Sequence, residues 1–404
     1  MGKRHKKALE EVLAKEKITA VFFLLHESVW KYSGLYKLME KDDRFEPIIV
    51  ICPDIQNGGD SLFDEMNESY KKLKAKNYNV TLSYDNAKGS WSDVKKEIKP
   101  DMVFFTNPNN ITRPEYQIEN FLDTLTFYVP YGFMITERPE MQYDKFFHNV
   151  TFRIFQETSF QQEQAKLYAR NKGINSVVTG YPGIDDFLLS GEVNSKKSSE
   201  AQNKNLKRVI WAPHHTVEKE ESKYNYSTFL EYHQLFIDLT QKYKDQIEFI
   251  FKPHPILKSK LTKLESWGKQ KTEDYYNYWK NSSLCRLCEG DYTNLFLNSD
   301  AMIHDSGSFL VEYISTNKPS LYMIRHEVIL EGFSDLGNKI IDCHYKSFQK
   351  SEVINFIENV VLNDEDYLRD KREKMIEHRL KPPGNKSASE NIYEDICRLI
   401  THSK

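Results

Sequence analysis

No run of apolar residues in this 404-residue chain approaches the ~20 needed to cross a bilayer, which argues against a membrane-spanning helix. The N-terminus, MGKRHKKALEEVLAKEKITAVFFLL, begins basic, but charge continues to Lys17 and no small-residue cleavage site follows, so it does not read as a secretory signal. Cysteine is scarce. Cys52, Cys285, Cys288, Cys343 and Cys397 are odd in number and scattered, which excludes a disulfide framework and points to a reducing compartment. Cys285 and Cys288 form CRLC, half of a zinc site by spacing, but no second pair with ligand spacing follows, so both are read as structural. An excess of one charge sign is also missing: 56 Lys+Arg against 59 Asp+Glu leaves −3, unlike the whole-chain basic field of a non-specific nucleic-acid binder. No cofactor is expected, and no carboxylate cluster marks a dedicated Mg²⁺ site, so metal dependence stays open with Mg²⁺ unsupported by any ligand set.

The chain therefore reads as cytoplasmic. Lys3, Arg4, Lys6 and Lys7 lie beside Leu9, Val12 and Leu13 at helical spacing. That segment reads first as a solvated helix end, with a peripheral contact to anionic lipid on the inner face of the cell membrane as the alternative.

What the chain has is length and rhythm. It exceeds the ~250–300 residues at which one hydrophobic core stops growing, and 24 Phe with 24 Tyr supply apolar surface for two cores. Short continuous apolar runs (ITAVFFLL, FEPIIVICP, MVFFT, LTFYV) alternate with longer amphipathic ones. Such runs are strands buried on both faces, the mark of parallel sheets covered by helices. The expected fold is α/β, with two Rossmann-like doubly wound domains facing a cleft. The expected divisions are an N-terminal domain over 1–190, a Ser/Asn/Lys-rich linker over 191–207, a second domain over 208–384 and a last helix over 385–404.

In open α/β sheets ligands bind beyond the carboxyl ends of strands, so the strand-to-helix turns are where function is sought. Three in the second half carry unusual chemistry. The first is WAPHHT, with Pro213, His214 and His215. An extended backbone would point two adjacent histidines apart, a poor chelate without distant ligands, so a cleft histidine is expected here rather than a metal site. The second is FIFKPHP, in which Pro253 and Pro255 restrain His254 two residues after Lys252, suited to contacting phosphate or moving a proton. The third is MIHDSGSFLVEY. Asp305, Ser306, Gly307 and Ser308 open a helix whose N–H groups and hydroxyls would suit an anion, unless Asp305 or Ser306 merely caps it. Glu312, further along, would accept from a ribose hydroxyl or simply be a solvated helix residue.

Taken in order, these turns resemble the CDP-glycerol:poly(glycerophosphate) glycerophosphotransferase family of teichoic-acid and capsule enzymes. A family turn of Y-A-P-T type is matched by WAPHHT, its strand-end His by FKPHP, and its S-D-Y-S-S helix start by HDSGSFLVEY followed by NKPSLYM. TGYPGIDDFL, with Gly180, Pro182 and Asp185, is similar to the family's G-Y-P-R-N-D segment. The likeness spans roughly residues 128–324. It implies a glycosyltransferase-B architecture, with nucleotide bound mainly by the second domain, acceptor by the first, and a final helix crossing back to the first. Two departures stand out. The family's H-G-T-P in the first domain becomes VPYGFM, with Tyr131 and Gly132, and a glycine, Gly307, enters the nucleotide loop.

What the resemblance implies for activity is attack of an acceptor hydroxyl on the β-phosphorus of CDP-glycerol, or of a related CDP-alcohol, with CMP leaving. His254 and Lys252 would then face the diphosphate, Ser306, Gly307 and Ser308 would donate to phosphate, and His214 or His215 would be base or second phosphate contact. A phenol with a pKa near ~10 is a poor base, so Tyr131 would orient the acceptor, and His26 stays open as base. The same fold would equally serve a transferase using a UDP- or CMP-sugar, or a non-catalytic nucleotide- or polymer-binding protein.

Overall fold

The computed structural model describes residues 2–56, 61–190, 206–217, 222–290 and 292–401. The chain forms two compact units. Unit 1 comprises Met1–Met134, Arg138–Asp185 and Lys381–Lys404, and unit 2 comprises Ile135–Glu137 and Asp186–Leu380. The linker expected over 191–207 lies, up to residue 205, outside the described residues.

In chain order the strands are β1 (Ile18–Leu24), β2 (Phe45–Ile51), β3 (Val80–Leu82), β4 (Tyr84–Asp85), β5 (Ser90–Trp91), β6 (Met102–Phe105), β7 (Leu125–Tyr128), β8 (Arg153–Gln156), β9 (Ser176–Val178), β10 (Lys207–Ala212), β11 (Ile247–Phe251), β12 (Cys285–Leu287), β13 (Ala301–His304), β14 (Ser320–Met323) and β15 (Tyr345–Ser347). Unit 1 holds a seven-stranded sheet in the order β3-β2-β1-β6-β7-β8-β9, and β4 pairs with β5 in a separate antiparallel ribbon. Unit 2 holds a six-stranded sheet in the order β12-β11-β10-β13-β14-β15. Every pairing within the two large sheets is parallel.

The apolar runs form these strands because both faces are covered. Phe22, Phe104 and Phe127 occupy registered positions on β1, β6 and β7, with ring centroids 4.4 and 4.8 Å apart. Such stacking contributes about 0.5–1.5 kcal/mol per pair beyond the area it buries. In unit 2 the fully buried Trp211 of β10 stacks at 4.0 Å on Phe236 of the helix Phe229–Lys242 and at 4.9 Å on Phe251 of β11. That anchor sets where the chain leaves the sheet at Pro213. The order in unit 2 reverses direction between β10 and β13, the kind of switch point outside which α/β sheets bind ligands.

The last helix, Ala388–Thr401, belongs to unit 1. Asp185 holds its start: one carboxylate oxygen accepts from the Ala388 N–H at 2.8 Å, the other from the Ser389 N–H at 3.0 Å and the Ser389 hydroxyl at 2.7 Å. Gly180 has φ +91°, and a Cβ there would come within 2.6 Å of Pro382. The conformation and the close approach both demand glycine. Pro182 is buried and opens the short turn Pro182–Ile184. At the other end of the chain, the helix Lys3–Leu13 buries Ala8, Leu9 and Val12 and leaves Leu13 half-buried, so of the apolar residues that would have met a lipid surface Leu9 and Val12 are turned into the unit instead. No helix among the described residues is long and apolar enough to cross a membrane.

Candidate functional site

Beyond the carboxyl end of β10 the chain does not stay extended. His214 and His215 lie with ring centroids 4.2 Å apart, on one side of the turn, contrary to the expectation that they diverge. The next strand brings a third ring. The Lys252 N–H donates to the Trp211 carbonyl at 2.8 Å and the His254 N–H to the Pro213 carbonyl at 3.1 Å, so β-type pairing of the two turns continues past the ends of β10 and β11. His254 thereby lies 4.3 Å from His215 and 5.2 Å from His214, centroid to centroid. One ring nitrogen of each lies within 4.8 Å of one ring nitrogen of the others, the only such group of candidate metal ligands among the described residues.

Burial governs the acid–base state of this cluster. It lowers His214 well below the ordinary imidazole range, with His215 and His254 adding to the effect. His254 is lowered to about 3, first by burial and then by His215 and Lys252. His214 and His254 are therefore neutral at physiological pH. Lys252 is itself buried, with its Nζ 5.9 Å from the Tyr292 ring centroid.

The DSGS loop contributes differently from the expectation. Asp305 neither caps the helix Phe309–Ile314 nor faces outward. One of its oxygens accepts from the His214 N–H at 2.5 Å, and the other from the Thr228 N–H at 2.6 Å and the Thr228 hydroxyl at 2.8 Å. It ties the exits of β10 and β13 to the start of the following helix. Burial raises its carboxyl to about 6, against those hydrogen bonds, which lower it. The helix that opens after Ser308 is only six residues long, and Ser308 makes no side-chain cap. Ser306 is buried, and its carbonyl accepts from His304 Nδ1 at 3.1 Å. At Gly307 a Cβ would make ordinary contacts with Phe333 and Tyr226 at 3.9 Å, so no packing demands glycine there. Glu312 is buried, which removes the solvated-helix alternative.

The remaining candidates lie in unit 1. Tyr131 is 46% exposed, its N–H donates to Tyr128 Oη at 3.3 Å, and partial burial pushes its phenol upward, away from use as a base. A Cβ on Gly132 would meet open space. His26 Nε2 donates to Asp54 at 3.1 Å. Of the residues expected to touch substrate, Gly180 and Asp185 lie against the last helix, where a Cβ on Gly180 would meet Pro382 and Ala388 and Asp185 accepts from Ala388 and Ser389, and Pro182 opens the turn between them.

Two residues went unnoticed in the sequence. Glu157, just past β8, is buried, and its Oε1 accepts from the Met134 N–H at 2.9 Å while Oε2 has no partner. Burial raises it to about 8. A carboxylate directly after an apolar strand was its one visible signal. Thr216 Oγ1 lies 3.0 Å from His214 Nδ1, and nothing in APHHT distinguishes that threonine from a solvated turn residue.

Residues 132–397 match the family model described as CDP-glycerol:poly(glycerophosphate) glycerophosphotransferase. The match begins one residue after Tyr131 and includes the three histidines and the DSGS loop. No curated protein matches the chain. Among solved structures it is similar to MnaA of S. aureus with UDP (16% identity, 95% of this chain and 96% of that one, TM-score 0.58). It is also similar to the UDP-GlcNAc 2-epimerase of Neisseria meningitidis bound to UDP-GlcNAc (15%, 95% and 100%, TM-score 0.57). A third is the Methanocaldococcus jannaschii UDP-GlcNAc 2-epimerase in complex with UDP-GlcNAc and UDP (16%, 94% and 99%, TM-score 0.57). At this identity the likeness shows the fold, mixed α/β with parallel sheets and glycosyltransferase-B-like.

Proposed function

Because the chain belongs to the CDP-glycerol:poly(glycerophosphate) glycerophosphotransferase family, we propose that it transfers glycerol phosphate, or a related polyol phosphate, from a CDP-alcohol to a teichoic-acid or other cell-surface polysaccharide acceptor. The observation that carries this reading is the gathering of His214, His215 and His254 beyond β10 and β11, beside Lys252 and near the switch point of the unit 2 sheet. An acceptor hydroxyl attacks the β-phosphorus, the bond to the CMP oxygen breaks, CMP leaves as the anion, and the hydroxyl proton passes to a base. Such transfers depend on alignment and charge stabilisation more than on covalent chemistry.

In this reading Lys252 and His254 face the diphosphate, and Ser306, Gly307 and Ser308 supply hydroxyl and N–H donors. Glu312 is assigned to the nucleotide side, and His214 or His215 to a second phosphate contact or the proton. Asp305 and Pro213 shape the turn. In unit 1, Tyr131 and Gly132 are assigned to acceptor orientation. A basic face at Lys3, Arg4, Lys6 and Lys7 would bring the enzyme to its acceptor by charge alone, since Leu9 and Val12 are buried.

The test is to incubate the protein separately with CDP-glycerol, CDP-ribitol and UDP-sugars plus a lipid-linked acceptor extract, and to resolve the released nucleotide by anion exchange. CMP from a CDP-alcohol is expected, reduced about 10²–10³-fold in His254→Ala. Release of UDP without CMP would make the protein a sugar transferase, and tight nucleotide binding without turnover would make it a binding protein.

A further inference from the structure

Three imidazoles this close look like a metal site, and the hydrogen bonds around them speak to that directly. Thr216 Oγ1 accepts from the backbone N–H of Tyr226 at 2.8 Å and of Ser227 at 3.2 Å. A hydroxyl oxygen has two lone pairs and one proton, so only the proton remains to be given. The neighbour that can take it is His214 Nδ1, at 3.0 Å. That nitrogen accepts, and the proton of the neutral ring sits on Nε2. At His254 the Ile256 backbone N–H donates to Nδ1 at 3.3 Å. An amide N–H has no lone pair to offer, so here too Nδ1 carries the lone pair and Nε2 the proton. Both rings are neutral, as their burial dictates, so a single tautomer describes each.

We propose that Thr216 is a positioning residue which, with the Ile256 amide, holds His214 and His254 in the Nε2–H tautomer, so that the cluster presents N–H donors to an anion rather than lone pairs to a metal ion. Coordination through Nε2 would require moving each proton to Nδ1 and breaking the bonds to Thr216 and Ile256. Coordination through Nδ1 would displace those same bonds. The proposal rests on the proposed function only in taking the anion to be the diphosphate of the donor.

The experiment uses the full chain labelled with ¹⁵N-histidine, and long-range ¹H–¹⁵N correlation at pH 7 reads which nitrogen of each ring is protonated. His214→Gln and His254→Gln assign the signals. Nδ1 is expected to be the unprotonated nitrogen in both rings. Thr216→Val should introduce the second tautomer at His214 and leave His254 unchanged, and Thr216→Ser should restore the wild-type pattern. Calorimetry with CDP on the same samples should show affinity falling about 5- to 10-fold in Thr216→Val and holding in Thr216→Ser. His214→Gln, whose amide lies where Nε2–H lies, should bind CDP more tightly than His214→Asn. An Nδ1–H tautomer in either wild-type ring, an unchanged His214 pattern in Thr216→Val, or stoichiometric Co²⁺ uptake abolished by His254→Gln would each overturn the proposal. If the wild type binds no CDP, the donor reading fails, while the nitrogen shifts still decide the tautomers.

Discussion

His254 and Glu157 are displaced in opposite senses by one cause, removal from water, and each leaves a distinct mark on stability. An unfolded histidine protonates near 6.5, whereas folded His254 resists protonation to about 3, so its contribution is present above pH 6.5 and is lost as pH falls toward 3. His148, lowered to about 4, and His304, lowered to about 3, both by burial, act in the same window. The urea midpoint is expected to fall steadily from pH 6.5 to 4, with a shallower slope in His254→Gln. Glu157 works the other way. Its carboxyl is neutral in the fold up to about 8 but ionises near 4.5 when unfolded, so its contribution is present below pH 4.5 and is lost as pH rises through about 8. Glu157→Gln should therefore raise Tm relative to the wild type at pH 8 and leave it little changed at pH 4. A wild-type advantage at pH 8 would refute a neutral Glu157.

Asp305 joins three elements, and its loss should be felt by all of them. Asp305→Ala strands the His214 N–H, the Thr228 N–H and the Thr228 hydroxyl, which is expected to cost about 2–4 kcal/mol in urea unfolding. Ser308→Ala, where the side chain makes no cap, should change stability by under about 0.5 kcal/mol. Equal effects of the two substitutions would contradict the clasp. From sequence, DSGS looked like a phosphate loop with an optional cap. The clasp was illegible because Asp305 and His214 are 91 residues apart and meet only through the pairing of β10 with β13.

Unit 1 is assembled from three stretches of chain, and its last helix is tied in by Asp185 together with the buried Ile392 and Ile396. Asp185→Ala leaves two buried N–H groups and a hydroxyl without an acceptor, an expected loss of about 1–3 kcal/mol. The same variant should become sensitive to limited proteolysis between residues 381 and 387. Resistance equal to the wild type would show that apolar packing alone holds the helix.

The α/β class and the positions of the strand-to-helix turns were legible from the chain itself, because short apolar runs such as FFLL, IIVI and VIWA, rich in β-branched and aromatic residues and alternating with longer amphipathic stretches, read as strands covered on both faces. That is a local property, set by which neighbouring residues must leave water. The WAPHHT, FKPHP and DSGS turns were legible as places for the same reason. What those turns do to one another was not. The meeting of His254 with His214 and His215 depends on the pairing of β10 with β11 and on the Lys252 to Trp211 hydrogen bond beyond it. The use of Asp185 on a distant helix, the neutrality of Glu157 and the Thr216 bond to His214 likewise depend on which groups share a dry environment. Local periodicity fixes elements, but hydrogen-bond partners and desolvation are decided only when distant segments pack.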